Sequence, residues 1–179
     1  MVNDYLQLWA TGIMKAVRVD CKVFNAYQVE FKEHEPYILM VNHSSLYDIP
    51  ITFVALPNIT MRMLAKKELF QIPIFGQGLK VAEFVFIDRK NREQAMKDLA
   101  QAKEKLESGI RLWIAPEGTR SRNGQLGPFK KGGFVTAIQT KAKIIPIIIK
   151  GAANILPPKT WRFHINQTVE VHIGQPIDA

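Results

Sequence analysis

Short runs of bulky apolar residues alternate along the chain with longer amphipathic stretches. The runs are rich in β-branched and aromatic residues, as is typical of strands buried in a sheet, and they lie at residues 37–41, 60–65, 83–87, 110–115, 143–149 and 168–173. The amphipathic stretches predict helices at residues 49–56, between Asn91 and Gly109, and at residues 134–140. Strands that alternate with helices indicate one α/β domain over residues 1–179, with a largely parallel or mixed central sheet flanked by helices.

Residues 1–18 predict an amphipathic N-terminal helix. Leu6, Trp9 and Ile13 recur at roughly helical spacing, and Lys15 and Arg18 follow towards its end. Such a helix could lie flat in a membrane interface or pack on the body of the domain. Amphipathicity serves both arrangements equally well.

Two further segments carry weaker patterns. Residues 19–24 and 27–32 alternate well enough to predict a hairpin around Asn25 and Ala26. Residues 69–76 are apolar but interrupted by Pro73, so they either bury themselves or form an exposed apolar lip.

The chain has 179 residues, one cysteine (Cys21) and a formal net charge of +8. A single cysteine excludes an internal disulfide and a cysteine metal cluster, and we expect Cys21 to be a structural thiol. The positive charge suits a nucleic acid, an anionic membrane surface or a phosphorylated small substrate. Nucleic acid ranks last because no recognisable nucleic-acid motif accompanies the scattered basic residues. The apolar runs are also far shorter than the ~20 residues that span a bilayer.

Candidate chemistry begins directly after the run at residues 37–41, with His43 and Asp48. A histidine that follows a buried strand lies on a loop at the strand end, where α/β sheets commonly carry their chemistry. If the intervening residues form a loop, Asp48 can bond one imidazole nitrogen and leave the other basic and free, as a general base requires. In the alternative reading, Asp48 only caps the next helix and His43 only bonds to backbone.

A second polar segment, residues 116–122, follows the run at residues 110–115. Gly118 lets backbone come close to a ligand, Thr119 offers a hydroxyl, and Arg120 offers a forked donor suited to phosphate oxygens. The alternative is a polar turn whose arginines are solvated or paired with a neighbouring acid.

Arg89 and Lys66 repeat this theme, because each follows an apolar run. Either one alone is most simply a surface cation. Several basic residues at predicted strand ends, together with a His–Asp pair, would rarely occur by chance. The combination favours a phosphate-binding site.

Four segments together resemble the motifs of the glycerolipid acyltransferase family. Residues 42–48 are similar to the family's His-x4-Asp motif, and residues 116–121 are similar to its third motif. Residues 86–89 resemble the second motif, and residues 144–148 resemble the fourth, an apolar strand that carries a proline. The motifs occur in family order within residues 37–150, and together they most resemble the PlsC-type 1-acyl-sn-glycerol-3-phosphate acyltransferases.

This resemblance implies direct transfer of a fatty acyl group from acyl-CoA or acyl-carrier protein to the sn-2 hydroxyl of 1-acyl-sn-glycerol-3-phosphate (lysophosphatidic acid), giving phosphatidic acid. No metal or resident cofactor is expected. His43 would act as general base, and Asp48 would orient it. The substrate-binding positions implied by the family are Lys66, Arg89, Glu117, Gly118, Thr119, Arg120 and Pro146, of which the last would shape the pocket floor.

The resemblance further implies an enzyme of phospholipid biosynthesis that is peripheral or monotopic on the cytoplasmic face of a membrane, with an anionic lipid surface as partner. The family's N-terminal membrane segment and C-terminal extension are expected to be absent. Three alternatives stay open: a family member with another lysolipid acceptor, a non-catalytic module that binds anionic membranes, and an acyl-enzyme mechanism or hydrolase that uses Ser44, Ser45 or Ser121. The last would need a strained Gly-x-Ser-x-Gly turn, which the sequence lacks.

Overall fold

The computed structural model describes residues 1–33, 35–87 and 92–179, and within them seven strands form one sheet covered by six α-helices. The strands are β1 (Asp20–Phe24), β2 (Tyr37–Val41), β3 (Met61–Lys66), β4 (Val85–Ile87), β5 (Arg111–Ile114), β6 (Lys143–Lys150) and β7 (Thr168–Ile173). The helices are α1 (Val2–Ala16), α2 (Asp48–Ala55), α3 (Phe75–Val81), α4 (Arg92–Glu107), α5 (Lys131–Thr140) and α6 (Ala152–Ile155). A short 3-10 helix, Lys67–Gln71, follows β3.

The strand order across the sheet is β1-β7-β6-β2-β5-β3-β4, and every neighbouring pair is parallel except β6 and β7. This arrangement confirms the predicted α/β fold with a largely parallel, mixed sheet. Strands β6, β2, β5, β3 and β4 share one direction, so their carboxyl ends meet at one edge of the sheet. The loops that leave this edge carry the candidate site, as is usual for open α/β sheets.

Strand β2 lies near the middle of the sheet and is buried on both faces. Tyr37, Leu39 and Val41 belong to an apolar cluster that includes residues of α1 and α2. Ile38 and Met40 belong to a second cluster, which includes residues of α4 and α5. Because helices cover both faces, the strand is a continuous apolar run rather than an alternating one.

Helix α1 confirms the predicted N-terminal helix, and it packs on the body of the domain. Ala10 and Met14 are buried in the same cluster as α2. The side-chain amide of Asn3 bonds the side chains of Thr60 and Arg62, at 2.7 Å each, and so ties the start of the helix to the region of β3. Among the described residues, no helix is both long and apolar enough to cross a bilayer.

The predicted hairpin in residues 19–32 is wrong. Strand β1 forms, but it pairs in parallel with β7, and residues 27–32 form no strand. The side chain of Asn25 accepts a hydrogen bond from the Val29 amide (2.9 Å) and donates one to the Val29 carbonyl (3.1 Å). These bonds close a local loop where the turn of a hairpin would stand. Phe31 then packs edge-on against Tyr37, so the apolar residues of this segment serve packing rather than strand pairing.

Residues 69–76 form neither a simple buried run nor a simple lip. They span the end of the 3-10 helix and the start of α3, and they leave Ile74 89% exposed. Gly76 is needed there because a Cβ at this position would collide with the backbone of Phe70. The sequence did not predict α3 or α6, since both are too short to show a helical period. Asn91, the predicted start of the helix that ends at Gly109, lies outside the described residues.

Candidate active site

His43 and Asp48 meet in the loop between β2 and α2. The Nδ1 atom of His43 lies 2.8 Å from Oδ2 of Asp48, and the Asp48 side chain is completely buried. The same oxygen accepts hydrogen bonds from the amides of Ser44 (2.7 Å) and Ser45 (2.8 Å). One carboxylate therefore folds the loop and holds the imidazole at the same time.

Asp48 does not serve as a simple helix cap. It is the first residue of α2, and no side chain caps that helix. The amides that donate to its side chain belong to Ser44 and Ser45, which precede the helix, whereas a capping side chain accepts from the amides of the first turn. The alternative in which Asp48 only caps the helix is therefore wrong, and the predicted contact between the His43 and Asp48 side chains is present.

The second imidazole nitrogen of His43 is left for a ligand. Nε2 has no hydrogen-bond partner among the described residues, and the side chain is 17% exposed. The ring lies beside a cavity of about 360 Å³, which is lined by Asn42, His43, Ser44, Glu117, Ser121, Gly124, Gln125, Leu126, Ile148, Ile149, Lys150, Gly151, Ala153 and Asn154. Since a neutral imidazole that donates through Nδ1 accepts through Nε2, His43 can take a proton from a group bound in this cavity.

Trp113 of β5 fixes the plane of the imidazole. Its ring stands nearly perpendicular to that of His43, at 84°, with the ring centroids 5.8 Å apart. The indole Nε1 donates to the Thr52 hydroxyl (3.1 Å), which in turn donates to the carbonyl of Asp48 (2.7 Å). His43, Asp48 and Trp113 are thus connected through the side chain of Thr52 and direct contacts.

The segment after β5 closes over the backbone of His43. The amide of Ser121 donates to the His43 carbonyl (2.6 Å), and the His43 amide donates to Oε1 of Glu117 (3.3 Å). The other oxygen of Glu117 accepts from the Gly127 amide (2.7 Å). Glu117 is only 4% exposed, so its carboxylate is committed to backbone groups.

The predicted phosphate-binding residues of this segment differ in their surroundings. Gly118 has a φ of +74°, which favours glycine and brings the backbone round a tight turn. Thr119 is exposed and Arg120 is partly exposed. Arg120 makes no hydrogen bond or ion pair with any described residue, which leaves its guanidinium available to an anion.

Lys66 lies further along the same edge of the sheet. Lys66 is exposed at the end of β3, in register with Ile87 of β4. Arg89 follows β4 and lies outside the described residues. Pro146 lies within β6 opposite Met40 and does not line the cavity beside His43. The binding roles of all three stay predictions.

Asn42 is a residue of this site that sequence reasoning missed. Its side-chain amide donates to the carbonyl of Ile149 (3.0 Å), and its side-chain oxygen accepts from the amide of Ile149 (2.7 Å). The available signal was an asparagine placed at the end of a buried strand and next to the candidate base. The partner lies 107 positions away in sequence, so no local pattern could reveal it.

A second cavity, of about 630 Å³, lies beside the loop between β2 and α2. Leu46 and Tyr47, which stand between His43 and Asp48 in sequence, form part of its wall. The remaining wall is almost entirely apolar and comprises Leu6, Trp9, Ile13, Ile49, Pro50, Gly78, Leu79, Ala82, Phe84, Leu156, Trp161 and Phe163. Burial raises the pKa of the Tyr47 hydroxyl.

Two of the three alternative serine nucleophiles have hydroxyls that donate to backbone carbonyls. The buried Ser45 hydroxyl donates to the carbonyl of Leu156 (2.8 Å), and the Ser121 hydroxyl donates to that of Gln125 (2.7 Å). No serine hydroxyl of the described chain bonds to the His43 ring. Cys21 is partly buried, and burial raises the pKa of its thiol, which disfavours the reactive thiolate.

The chain is similar in sequence to curated 1-acyl-sn-glycerol-3-phosphate acyltransferases. The mouse 1-acyl-sn-glycerol-3-phosphate acyltransferase alpha is 32% identical over 150 residues, which cover 83% of this chain and 52% of the mouse protein. The Saccharomyces cerevisiae 1-acyl-sn-glycerol-3-phosphate acyltransferase is 36% identical over 187 residues, covering 99% of this chain and 60% of the yeast protein. The chain thus spans about half, or slightly more, of the curated relatives it matches.

A solved structure shares the whole fold. The crystal structure of the 1-acyl-sn-glycerophosphate acyltransferase PlsC from Thermotoga maritima superposes with a TM-score of 0.79 at 29% sequence identity, covering 98% of this chain and 68% of that one. Residues 23–150 match the sequence pattern of the family described as Acyltransferase. This match takes in both His43 and Asp48 and covers most of the sheet, and the chain therefore belongs to the acyltransferase family.

Proposed function

We propose that the protein transfers a fatty acyl group from a thioester donor, acyl-CoA or acyl-carrier protein, to the sn-2 hydroxyl of lysophosphatidic acid, and so makes phosphatidic acid. The observation that carries this proposal is the His43–Asp48 pair, which leaves a basic nitrogen beside a cavity. The names of the family members that the chain resembles support the choice of acceptor.

The reaction needs two proton transfers, from the acceptor hydroxyl to His43 and from His43 to the leaving sulfur. His43 Nε2 removes the proton of the acceptor hydroxyl as that oxygen attacks the thioester carbonyl. The tetrahedral intermediate then expels the donor thiolate, and the proton on His43 passes to the sulfur, which restores the base. Asp48 holds Nδ1–H throughout and stabilises the imidazolium. No bond to the protein forms, and no metal or resident cofactor takes part.

The acceptor's phosphate is held beside the segment that follows β5. Arg120 and the turn at Gly118 and Thr119 supply a forked cation, a backbone approach and a hydroxyl. Lys66 adds positive charge at the same edge, and Arg89 is proposed to bind the phosphate on the strength of the family motif alone. The acyl chains occupy the 630 Å³ apolar cavity. The loop between β2 and α2 forms a wall of both cavities, with Ser44 in one and Leu46 and Tyr47 in the other, so the cavity for the chains adjoins the cavity beside His43.

An assay of donor thiol release tests the proposal. Palmitoyl-CoA should release thiol rapidly when lysophosphatidic acid is present, with one phosphatidic acid formed per thiol, and only slowly without it. Equal release with and without acceptor would identify a hydrolase instead. Transfer to other lysolipids but not to lysophosphatidic acid would identify a family member with another acceptor.

The protein acts as a membrane-associated enzyme on the cytoplasmic face, with an anionic lipid surface as partner. Support comes from the rim of the apolar cavity, where Trp161 is 82% and Trp9 44% exposed. Lys159 and Arg162 flank Trp161 in sequence, and both are exposed. Aromatic side chains beside cations are typical of surfaces that lie in a membrane interface, and the net charge of +8 adds attraction to anionic lipid.

We expect Trp9→Ser combined with Trp161→Ser to weaken binding to vesicles of phosphatidylcholine and phosphatidylglycerol by about tenfold or more, since burial of a large apolar side chain contributes roughly 1.5–3 kcal/mol. Salt should weaken wild-type binding without abolishing it, because screening acts on charges and not on apolar burial. Co-sedimentation measures both effects.

Ile138→Ser is the matched control, as Ile138 is 63% exposed on α5, which packs on the other face of the sheet. Equal loss in the control would show that the contact lies elsewhere.

A further inference from the structure

The side chain of Glu117 accepts a hydrogen bond from the backbone amide of His43, and the side chain of Asn42, the residue before His43, bonds the backbone of Ile149. We propose that Glu117 and Asn42 are positioning residues that set the place of the His43 imidazole, and that Glu117 is not a ligand of the substrate phosphate. This inference rests on the proposed function, because it assumes that His43 is the base.

Glu117 has the surroundings of a positioning residue. Each of its oxygens accepts from a backbone amide, one from His43 (3.3 Å) and the other from Gly127 (2.7 Å). A Cβ at Gly127 would lie 3.2 Å from Oε2 of Glu117, so the loop is closed tightly onto the carboxylate. An ionised carboxylate accepts hydrogen bonds but cannot donate one, and the same is true of a phosphate dianion. The two anions would therefore repel each other.

Asn42 holds the same loop from the other side. Strand β2 pairs with β6 in parallel up to Val41 opposite Ile147. Beyond that point the Asn42 side chain donates to and accepts from the backbone of Ile149, at 3.0 and 2.7 Å. The amide thereby continues the pairing of the two strands by imitating a peptide group. Asparagine suits this task because its amide carries a donor and an acceptor together.

The two contacts place the base between three strands. Asn42 connects the end of β2 to β6, and Glu117 connects it to the loop after β5. The amide of Ser121 completes the arrangement by donating to the His43 carbonyl (2.6 Å). A displacement of about 1 Å in a reacting group can cost 10²-fold in rate, so loss of either contact should slow the chemical step while acceptor binding is kept.

The test compares Glu117→Gln, Glu117→Ala and Asn42→Ala with the wild type, on lysophosphatidic acid and on a monoacylglycerol that lacks the phosphate. We expect kcat to fall about 10- to 100-fold for both acceptors, with KM for lysophosphatidic acid nearly unchanged. Glu117→Gln should lose less than Glu117→Ala, because the amide keeps one acceptor oxygen. Asn3→Ala is the control, since its amide also bridges two segments, α1 and the region of β3, away from this site.

A second readout does not depend on the acceptor. Nitrogen-15 NMR of the His43 ring should show one tautomer in the wild type and a mixture or a changed Nδ1 signal in Glu117→Ala and Asn42→Ala, at a temperature where both remain folded. An effect of Glu117→Gln confined to the phosphate-bearing acceptor, or an unchanged kcat together with an unchanged ring spectrum, would overturn the proposal. If the wild type shows no transfer to lysophosphatidic acid, the proposed function fails, and the ring spectra alone still decide the positioning roles.

Discussion

Replacing His43 with alanine should slow acyl transfer to lysophosphatidic acid by about 10²–10⁴-fold, the range typical for loss of a general base. The reason is that Nε2 is the basic atom left beside the cavity once Asp48 has taken Nδ1. The fold should survive, because the amides of Ser44 and Ser45 still bond the carboxylate of Asp48 and keep the loop closed. The rate of phosphatidic acid formation measures the effect, and a thermal unfolding curve checks the fold.

Asp48→Asn should lose somewhat less activity than His43→Ala. An amide at this buried position retains one oxygen that can accept from the loop amides, so the base is misoriented rather than deleted. Retention of full activity in His43→Ala, in a preparation shown to be folded, would refute the assignment of His43 as the base.

Replacing Arg120 with alanine should lower kcat/KM for lysophosphatidic acid by roughly ten- to more than a hundredfold, because a hydrogen bond to a charged group contributes about 1.5–3 kcal/mol. Arg120 has no hydrogen bond or ion pair with a described residue, so its loss should leave the stability of the fold unchanged. A monoacylglycerol acceptor should react nearly as before, since it has no phosphate to lose. Arg120→Lys should recover part of the activity, because a point charge cannot replace the planar fork.

Lys141→Ala is the matched control for this experiment. It removes the same amount of charge at an exposed position that ends α5, and should therefore leave the ratio between the two acceptors unchanged. If Arg120→Ala slows both acceptors equally, the guanidinium has a structural role and the phosphate site must be sought elsewhere on this edge of the sheet.

The sequence predicts those features of the structure that depend on residues close together in the chain. The strand at residues 37–41 has its predicted bounds because helices bury both of its faces, and its apolar run reports this directly. The sequence predicts the contact between His43 and Asp48 because the two residues lie only five positions apart, at the two ends of one loop. The gathering of polar segments at one sheet edge follows from the parallel pairing of their strands.

The parts that could not be predicted depend on partners distant in sequence. Asn42 and Glu117 bond to groups that are 107 and 74 positions away, and neither leaves a periodic trace. Strand β1 resembled half of a hairpin because alternation does not reveal which strand will pair, and its partner is β7 near the end of the chain. The same limit applies to Glu117, whose motif suggests a substrate ligand although its carboxylate is bound to backbone.

If His43 activates the acceptor hydroxyl for direct attack on the thioester, the acyl group is never covalently bound to the protein. The most direct test is intact-protein mass spectrometry after mixing the protein with palmitoyl-CoA alone, followed by addition of lysophosphatidic acid. We expect an unmodified protein mass before the acceptor is added, and phosphatidic acid with free CoA afterwards. A stable gain of one palmitoyl group before addition, abolished by Ser44→Ala, Ser45→Ala or Ser121→Ala, would contradict direct attack.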